Sequence, residues 1–254
     1  MSFSTELPFS KIFLYVDSST ENIGYQNLKN FLEEETGLEV QVKEDFLKKK
    51  YEEGLTKELA KTKVRNKRKR DFKKPLPKEI EIEEKIIQKD RELLGIIYDG
   101  HRLVKLFRKF LEEEEKRNHT VIITKRLVGT LEKNENRYHI RTVISSIPSV
   151  ISVSGIVEGP AKPRKYYFAD EIEKKDILNF EPMQYSDERM ESAVRSYLLQ
   201  TVFWRLEGYP FCDREGCCLN NSHWQKDVIK NQVNGELCEE HSKRLKEFKR
   251  EESA

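Results

Sequence analysis

Four residues near the C-terminus constrain this chain more than any others: Cys212, Cys217, Cys238 and His241, spaced C-x4-C…C-x2-H. Each short pair brings two donor side chains together with little help from the fold. Four such soft or borderline donors, supplied by two segments, suit a cation with a tetrahedral preference, and zinc is that cation. The expected result is a structural Zn2+ site that closes the stretch between these pairs into a loop-helix unit. Cys218, next to Cys217, is read as packed or free, because adjacent cysteines do not easily point at one metal. His223 is the alternative donor. All four cysteines lie between positions 212 and 238, which in a chain of 254 residues favours metal over a disulfide framework. A reducing, cytoplasmic setting is expected.

Hydrophobic residues make up 37% and charged residues 36%, with a net charge of +2. The core is therefore modest and the surface densely and evenly charged, as in proteins adapted to heat. No run of about 18 apolar residues is present, so no membrane association is expected. The N-terminus has no signal-peptide pattern, so export is not expected.

The hydrophobic pattern sets an order of elements. Residues 11–16 read as a buried strand, 27–35 as a helix stopped by Gly37, and 38–42 as a second, parallel strand. Residues 44–59 read as one charged helix with Phe46, Leu47, Tyr51, Leu55 and Leu59 on its apolar face. Residues 80–94 carry too much charge to place. A short strand at 96–98 precedes a helix at 102–113, cored by Leu103, Leu106, Phe107, Phe110 and Leu111. Strands follow at 120–124, 127–131, 138–145 and 150–154, and glycines and prolines then break regular structure. The strongest helix, 187–207, has an apolar arc wide enough to be buried on two sides. Gly208 and Pro210 end it. Ser222 and Gln225 have capping-box spacing for the next helix, which ends near Gly235, and a last helix spans about 238–250.

A second feature is the basic run at 61–74. Lys61, Lys63, Arg65, Lys67, Arg68, Lys69, Arg70, Lys73 and Lys74 face one acid, Asp71, with Phe72 beside them. Charge density and prolines predict a mobile or extended segment over 61–77. Such cations gain affinity for phosphates by counterion release, and an aromatic can stack on a base. The stretch is therefore a candidate RNA or ribosome contact. No Gly-rich phosphate loop, no G-x-S-x-G elbow and no H-E-x-x-H occurs in the chain. The serines between 145 and 154 are expected to bond strand ends. His101, His119 and His139 are isolated in sequence, and only the fold could bring His101 and His139 together.

The long helix, the glycine turn and the cysteine pair that follows resemble the archaemetzincins. In that metalloprotease family the helix carries H-E-x-x-H-x-x-G-x-x-H, and a second, structural zinc site has the pattern C-x4-C…C-x2-C. With the first structural cysteine on Cys212, the family's glycine falls on Gly208. Its first histidine falls on Thr201, its glutamate on Val202, its second histidine on Arg205 and its third on Phe211. The remaining structural ligands fall on Cys217, Cys238 and, in place of a cysteine, His241. The stretches at 137–145 and 154–167 are also similar to an uncharacterised archaeal family labelled as metallopeptidases.

The resemblance implies an α/β fold over residues 1–254: a metzincin-like mixed sheet with packed helices and a zinc-stapled C-terminal unit at 209–250. It also implies that the catalytic ligands are missing. Thr201 is a poor substitute for an imidazole, Val202 cannot accept a proton, and Arg205 would repel the cation. The expectation is a zinc-binding, catalytically inactive metallopeptidase homologue that acts as a binding protein for an unidentified protein partner. RNA or ribosome binding, or an active peptidase with relocated ligands, are the alternatives.

Overall fold

The computed structural model describes residues 8–17, 20, 23–51, 54–70, 73–88, 95–169, 173 and 177–252, with side chains through 249. The first strand, β1 (Lys11–Val16), buries all but its first residue, because it is central and covered on both faces. Ile12 and Leu14 face one hydrophobic cluster and Tyr15 the other. Helix α1 (Tyr25–Thr36) ends at Gly37, whose φ of 77° needs no Cβ. β2 (Glu39–Lys43) then pairs parallel to β1, the β-α-β unit expected from the pattern.

The single helix expected at 44–59 is two. α2 (Phe46–Lys49) and α3 (Leu55–Thr62) are divided at Gly54, which adopts φ 89°. Phe46, Leu47, Leu55 and Leu59 are buried, whereas Tyr51 is exposed. Pro77 does not block a helix. It occupies the first turn of α4 (Pro77–Ile87), where the missing amide costs nothing. Residues 89–94 of the unassigned stretch lie outside the described residues.

β3 (Ile97–Asp99) leads into α5 (Gly100–Phe110), where the Asp99 carboxylate accepts from the Arg102 amide at 3.0 Å. The helix ends three residues earlier than expected, and a short α6 (Glu113–Arg117) precedes β4 (His119–Thr124). β5 (Leu127–Thr130) pairs antiparallel with β6 (His139–Arg141). The strand expected at 138–145 breaks at Thr142, and its second part, β7 (Val143–Ile144), joins the other sheet. β8 (Ser149–Ser152) stops where the Ser152 hydroxyl accepts from the Gly155 amide, capping α7 (Val153–Glu158). Gly155 is thus inside a helix rather than a breaker. A Cβ there would lie 2.4 Å from the Arg141 carbonyl oxygen, so the close approach requires glycine. As expected, the serines bond strand ends: Ser149 donates to the Ser146 carbonyl and Ser152 to that of Arg126.

The larger sheet runs β2-β1-β4-β8-β7, parallel except for β7, and the smaller runs β3-β5-β6. α1 and the long α8 (Met190–Glu207) cover one face of the larger sheet, and α3 and α5 the other. Burial on both faces is what a parallel sheet requires. α8 buries residues all round, including Val194, Leu198, Leu199, Val202 and Phe203. It lies between the sheet and the C-terminal unit. That unit comprises α9 (Gln225–Val228), which runs on into a π turn at Ile229–Val233, and α10 (Glu239–Glu252). Leu219 and Leu245 belong to the same cluster as α8 and β1, so the unit shares the main core. The expected capping box is absent. Ser222 instead accepts from the Asn231 side-chain amide at 3.0 Å.

Candidate metal centre

Gly208, in the left-handed conformation, ends α8 and turns the chain into the cysteine loop. The loop is fixed before any metal is considered. The Cys212 amide donates to the Leu219 carbonyl at 3.0 Å, and the Cys218 amide to that of Glu236 at 2.9 Å. Gly216, φ 85°, makes the tight return to Cys217. Its amide donates to Asn231 Oδ1 at 2.8 Å. Asn220 Nδ2 donates to the Cys212 carbonyl, and Gln232 Nε2 to the Cys218 and Asn220 carbonyls. Cys238 precedes α10 and His241 lies in its first turn.

These elements bring Cys212, Cys217, Cys238 and His241 together, with one donor atom from each within 4.8 Å of all the others. Cys238 Sγ lies 4.0 Å from Cys212 Sγ and 3.1 Å from His241 Nδ1. With bonds of about 2.3 Å to sulfur and 2.0 Å to nitrogen, a tetrahedral zinc needs edges of roughly 3.5–3.8 Å. The cluster brackets that span. Three donors are buried and Cys238 half-buried.

The electrostatics point the same way. Donation from the Cys218 thiol and from backbone amides pulls the Cys217 thiol down to about 4. Burial, together with the neighbouring sulfurs, pushes Cys212 up to about 12. One thiolate therefore forms readily and a second is opposed by burial and by the charge of the first. A divalent cation removes that opposition. Cys218, buried and donating toward Cys217, is held as a thiol and lies outside the donor set. His223 is exposed and also outside it. The four donors fit zinc, which would supply structural cross-linking there.

On α8, Thr201 and Val202 are buried. His119, on β4, places Nε2 3.0 Å from Thr201 Oγ1, and Thr201 donates to the Leu198 carbonyl at 2.7 Å. Burial pulls His119 down to about 3, so it is neutral, with Arg205 adding to the effect. Arg205 donates to the Pro8 and Arg117 carbonyls. Tyr209 stacks edge-on against Phe211. Among the described residues, the Cys3His cluster is the one group of three or more histidine, cysteine or carboxylate donors placed to hold a metal.

Residues 8–248 match the model of a family described as "Probable metallopeptidase family (DUF6775)". The chain belongs to that family. None of the curated proteins matches it. Among solved structures it is similar to the crystal structure of archaemetzincin from Methanopyrus kandleri, with 12% identity, 97% of each chain covered and a TM-score of 0.47.

Elsewhere in this metallopeptidase-family chain, His101 and His139 each meet a carboxylate of the turn at 132–135 and belong to no metal-holding group among the described residues. His101 pairs with Glu132 at 3.2 Å and His139 lies 3.6 Å from Glu135. The basic residues divide into two sets. Lys61 sits in α3, paired with Glu58. Lys63 is paired at 2.8 Å with buried Glu83, Arg65 forks onto Glu79, and Arg70 donates to the Leu131 carbonyl. Lys63 and Arg65, within the stretch expected to be mobile or extended, are docked on the body of the protein because α4 supplies Glu79 and Glu83, carboxylates that residue spacing does not reveal. Lys67, Arg68, Lys69, Lys73 and Lys74 are exposed, and Asp71 and Phe72 lie outside the described residues.

The residues that sequence reasoning missed are the ones that hold the loop: Asn220, Asn231 and Gln232. Single amides carry no spacing signal, so nothing in the sequence marks them. No helix among the described residues is long and apolar enough to cross a membrane.

Proposed function

We propose that this chain is a zinc-stapled, catalytically inactive member of its family that works in a reducing, cytoplasmic setting by binding a protein partner. The observation that carries the reading is the donor set. Four protein ligands complete a tetrahedron and keep no position for the water that hydrolysis needs. The buried Thr201 and Val202 and the half-buried Arg205 on α8 add no imidazole or carboxylate there. Elemental analysis of the purified protein, combined with a peptide-library assay, tests it. One zinc per chain and no chelator-sensitive cleavage are expected. Two zinc ions per chain, or cleavage abolished by a chelator, would overturn it in favour of a peptidase with relocated ligands.

A second reading rests on the exposed run of Lys67, Arg68 and Lys69 with Arg70 beside it. Consecutive cations on the surface favour contact with RNA phosphates, free or in the ribosome. Salt-sensitive RNA retention lost on conversion of residues 67–70 to serine supports it. No retention at low salt removes it.

A further inference from the structure

β2 is the outer strand of the larger sheet, with β1 on its inner side. The Val40 amide donates to the Glu33 carboxylate at 3.2 Å, so it points away from β1. Backbone direction alternates along a strand, so the Val42 amide and the carbonyls of Val40 and Val42 point the same way. An open cleft of about 1000 Å³ runs along this edge, lined by every residue of β2 and by Tyr25, Gln26 and Lys29. Such an edge is a template for another strand, and proteins commonly blunt it with proline or a bulge. β2 reads GluValGlnValLys and contains no proline.

We propose that β2 pairs antiparallel with β2 of a second copy of this chain, about a two-fold axis through Gln41. The sequence is complementary to itself in this register alone. Glu39 of each copy faces Lys43 of the other, Val40 faces Val42, and Gln41 faces its own equivalent. Val40 and Val42 are the residues whose amides and carbonyls face outward, so they exchange the inter-strand hydrogen bonds. An axis one residue earlier sets Glu39 against Gln41 and Lys43 against Gly37. An axis one residue later sets Glu39 against Asp45, a like-charge pair that opposes association. Only the central register satisfies both charges.

The side chains are placed for this exchange. The Glu39 side chain is 58% exposed, at the rim of its ion pair with Lys11. Lys43 is held beside β2 by Glu115 at 2.6 Å. Glu33, which guards the Val40 amide, lies 3.6 Å from Lys29 and has a cation to turn to when the amide is taken. The product is a dimer in which two five-stranded sheets become one continuous sheet. This inference is independent of the metal and of the catalytic reading.

The test uses the full-length, zinc-loaded chain. Sedimentation equilibrium is expected to show a reversible dimer. Gln41→Cys sits on the axis, where directly opposed residues are within disulfide reach, and should form a cross-linked dimer with oxidised glutathione. Glu44→Cys, near the end of β2, is too far from its own copy in this register and should not cross-link. The unsubstituted protein sets the background from the native cysteines. Glu39→Lys should raise the dimer dissociation constant about 2- to 30-fold, since two opposed pairs turn repulsive. A protein monomeric at every concentration, or equal cross-linking at 41 and 44, overturns the proposal. The monomer result would leave the edge to an extended segment of a different protein.

Discussion

His119 on β4 and Thr201 on α8 are joined by a 3.0 Å hydrogen bond between the imidazole Nε2 and the hydroxyl. Because Thr201 donates to the Leu198 carbonyl, its oxygen is the acceptor and His119 Nε2 carries the proton. His119 Nδ1 is buried without a partner. The contact therefore ties the sheet to the buried helix through one neutral histidine.

Thr201→Ala removes that acceptor and leaves both imidazole nitrogens buried and unpaired. The expected loss is about 1–3 kcal/mol. Thermal melts should show a lower midpoint, while elemental analysis gives unchanged zinc, since Thr201 lies outside the donor set. Loss of zinc in this variant would place Thr201 at the metal.

The same histidine predicts a pH dependence. Burial depresses its folded-state value from 6.5 to about 3. Between those values the unfolded chain binds a proton that the native state refuses. Stability is therefore full above about pH 6.5 and falls as the pH drops toward 3, at up to about 1.4 kcal/mol per pH unit. His119→Gln removes this contribution but not the acid sensitivity of the zinc ligands. Denaturant unfolding of both proteins across that range should give a shallower slope for the variant.

Cys238→Ser should abolish stoichiometric zinc and lower the melting temperature, because metal binding free energy is folding free energy in such a site. Cys218→Ala should retain one zinc per chain. Elemental analysis of the pair separates ligand from neighbour. Zinc loss in Cys218→Ala with retention in Cys238→Ser would reverse the assignment.

Asn231 bonds the Gly216 amide through Oδ1, and Asn220 and Ser222 through Nδ2. Asn231→Ala frees the loop between Cys212 and Cys217. Zinc affinity, read by competition with a chromophoric chelator, should fall about 10- to 100-fold with stoichiometry intact.

Glu83 is fully buried between Lys63, Arg126 and the Tyr98 hydroxyl. Glu83→Ala leaves the Arg126 guanidinium buried without its carboxylate, at a cost of about 3–5 kcal/mol. The melting temperature should drop by roughly 6–20 °C. A change within a degree or two would show that solvent reaches Arg126.

What the sequence alone determined is what neighbouring residues determine: the donor set, built from two pairs close in the chain, the β-α-β opening, and a buried helix marked by its apolar arc. Only the tertiary structure decided the rest. Gly54 splits one apolar face into α2 and α3, Thr142 divides one apparent strand between two sheets, and α4 neutralises part of the basic run through Glu79 and Glu83. His119 and Thr201 meet although they lie 82 residues apart. Periodicity and ligand spacing are local, whereas a partner brought in by chain topology leaves no trace in the residues beside it.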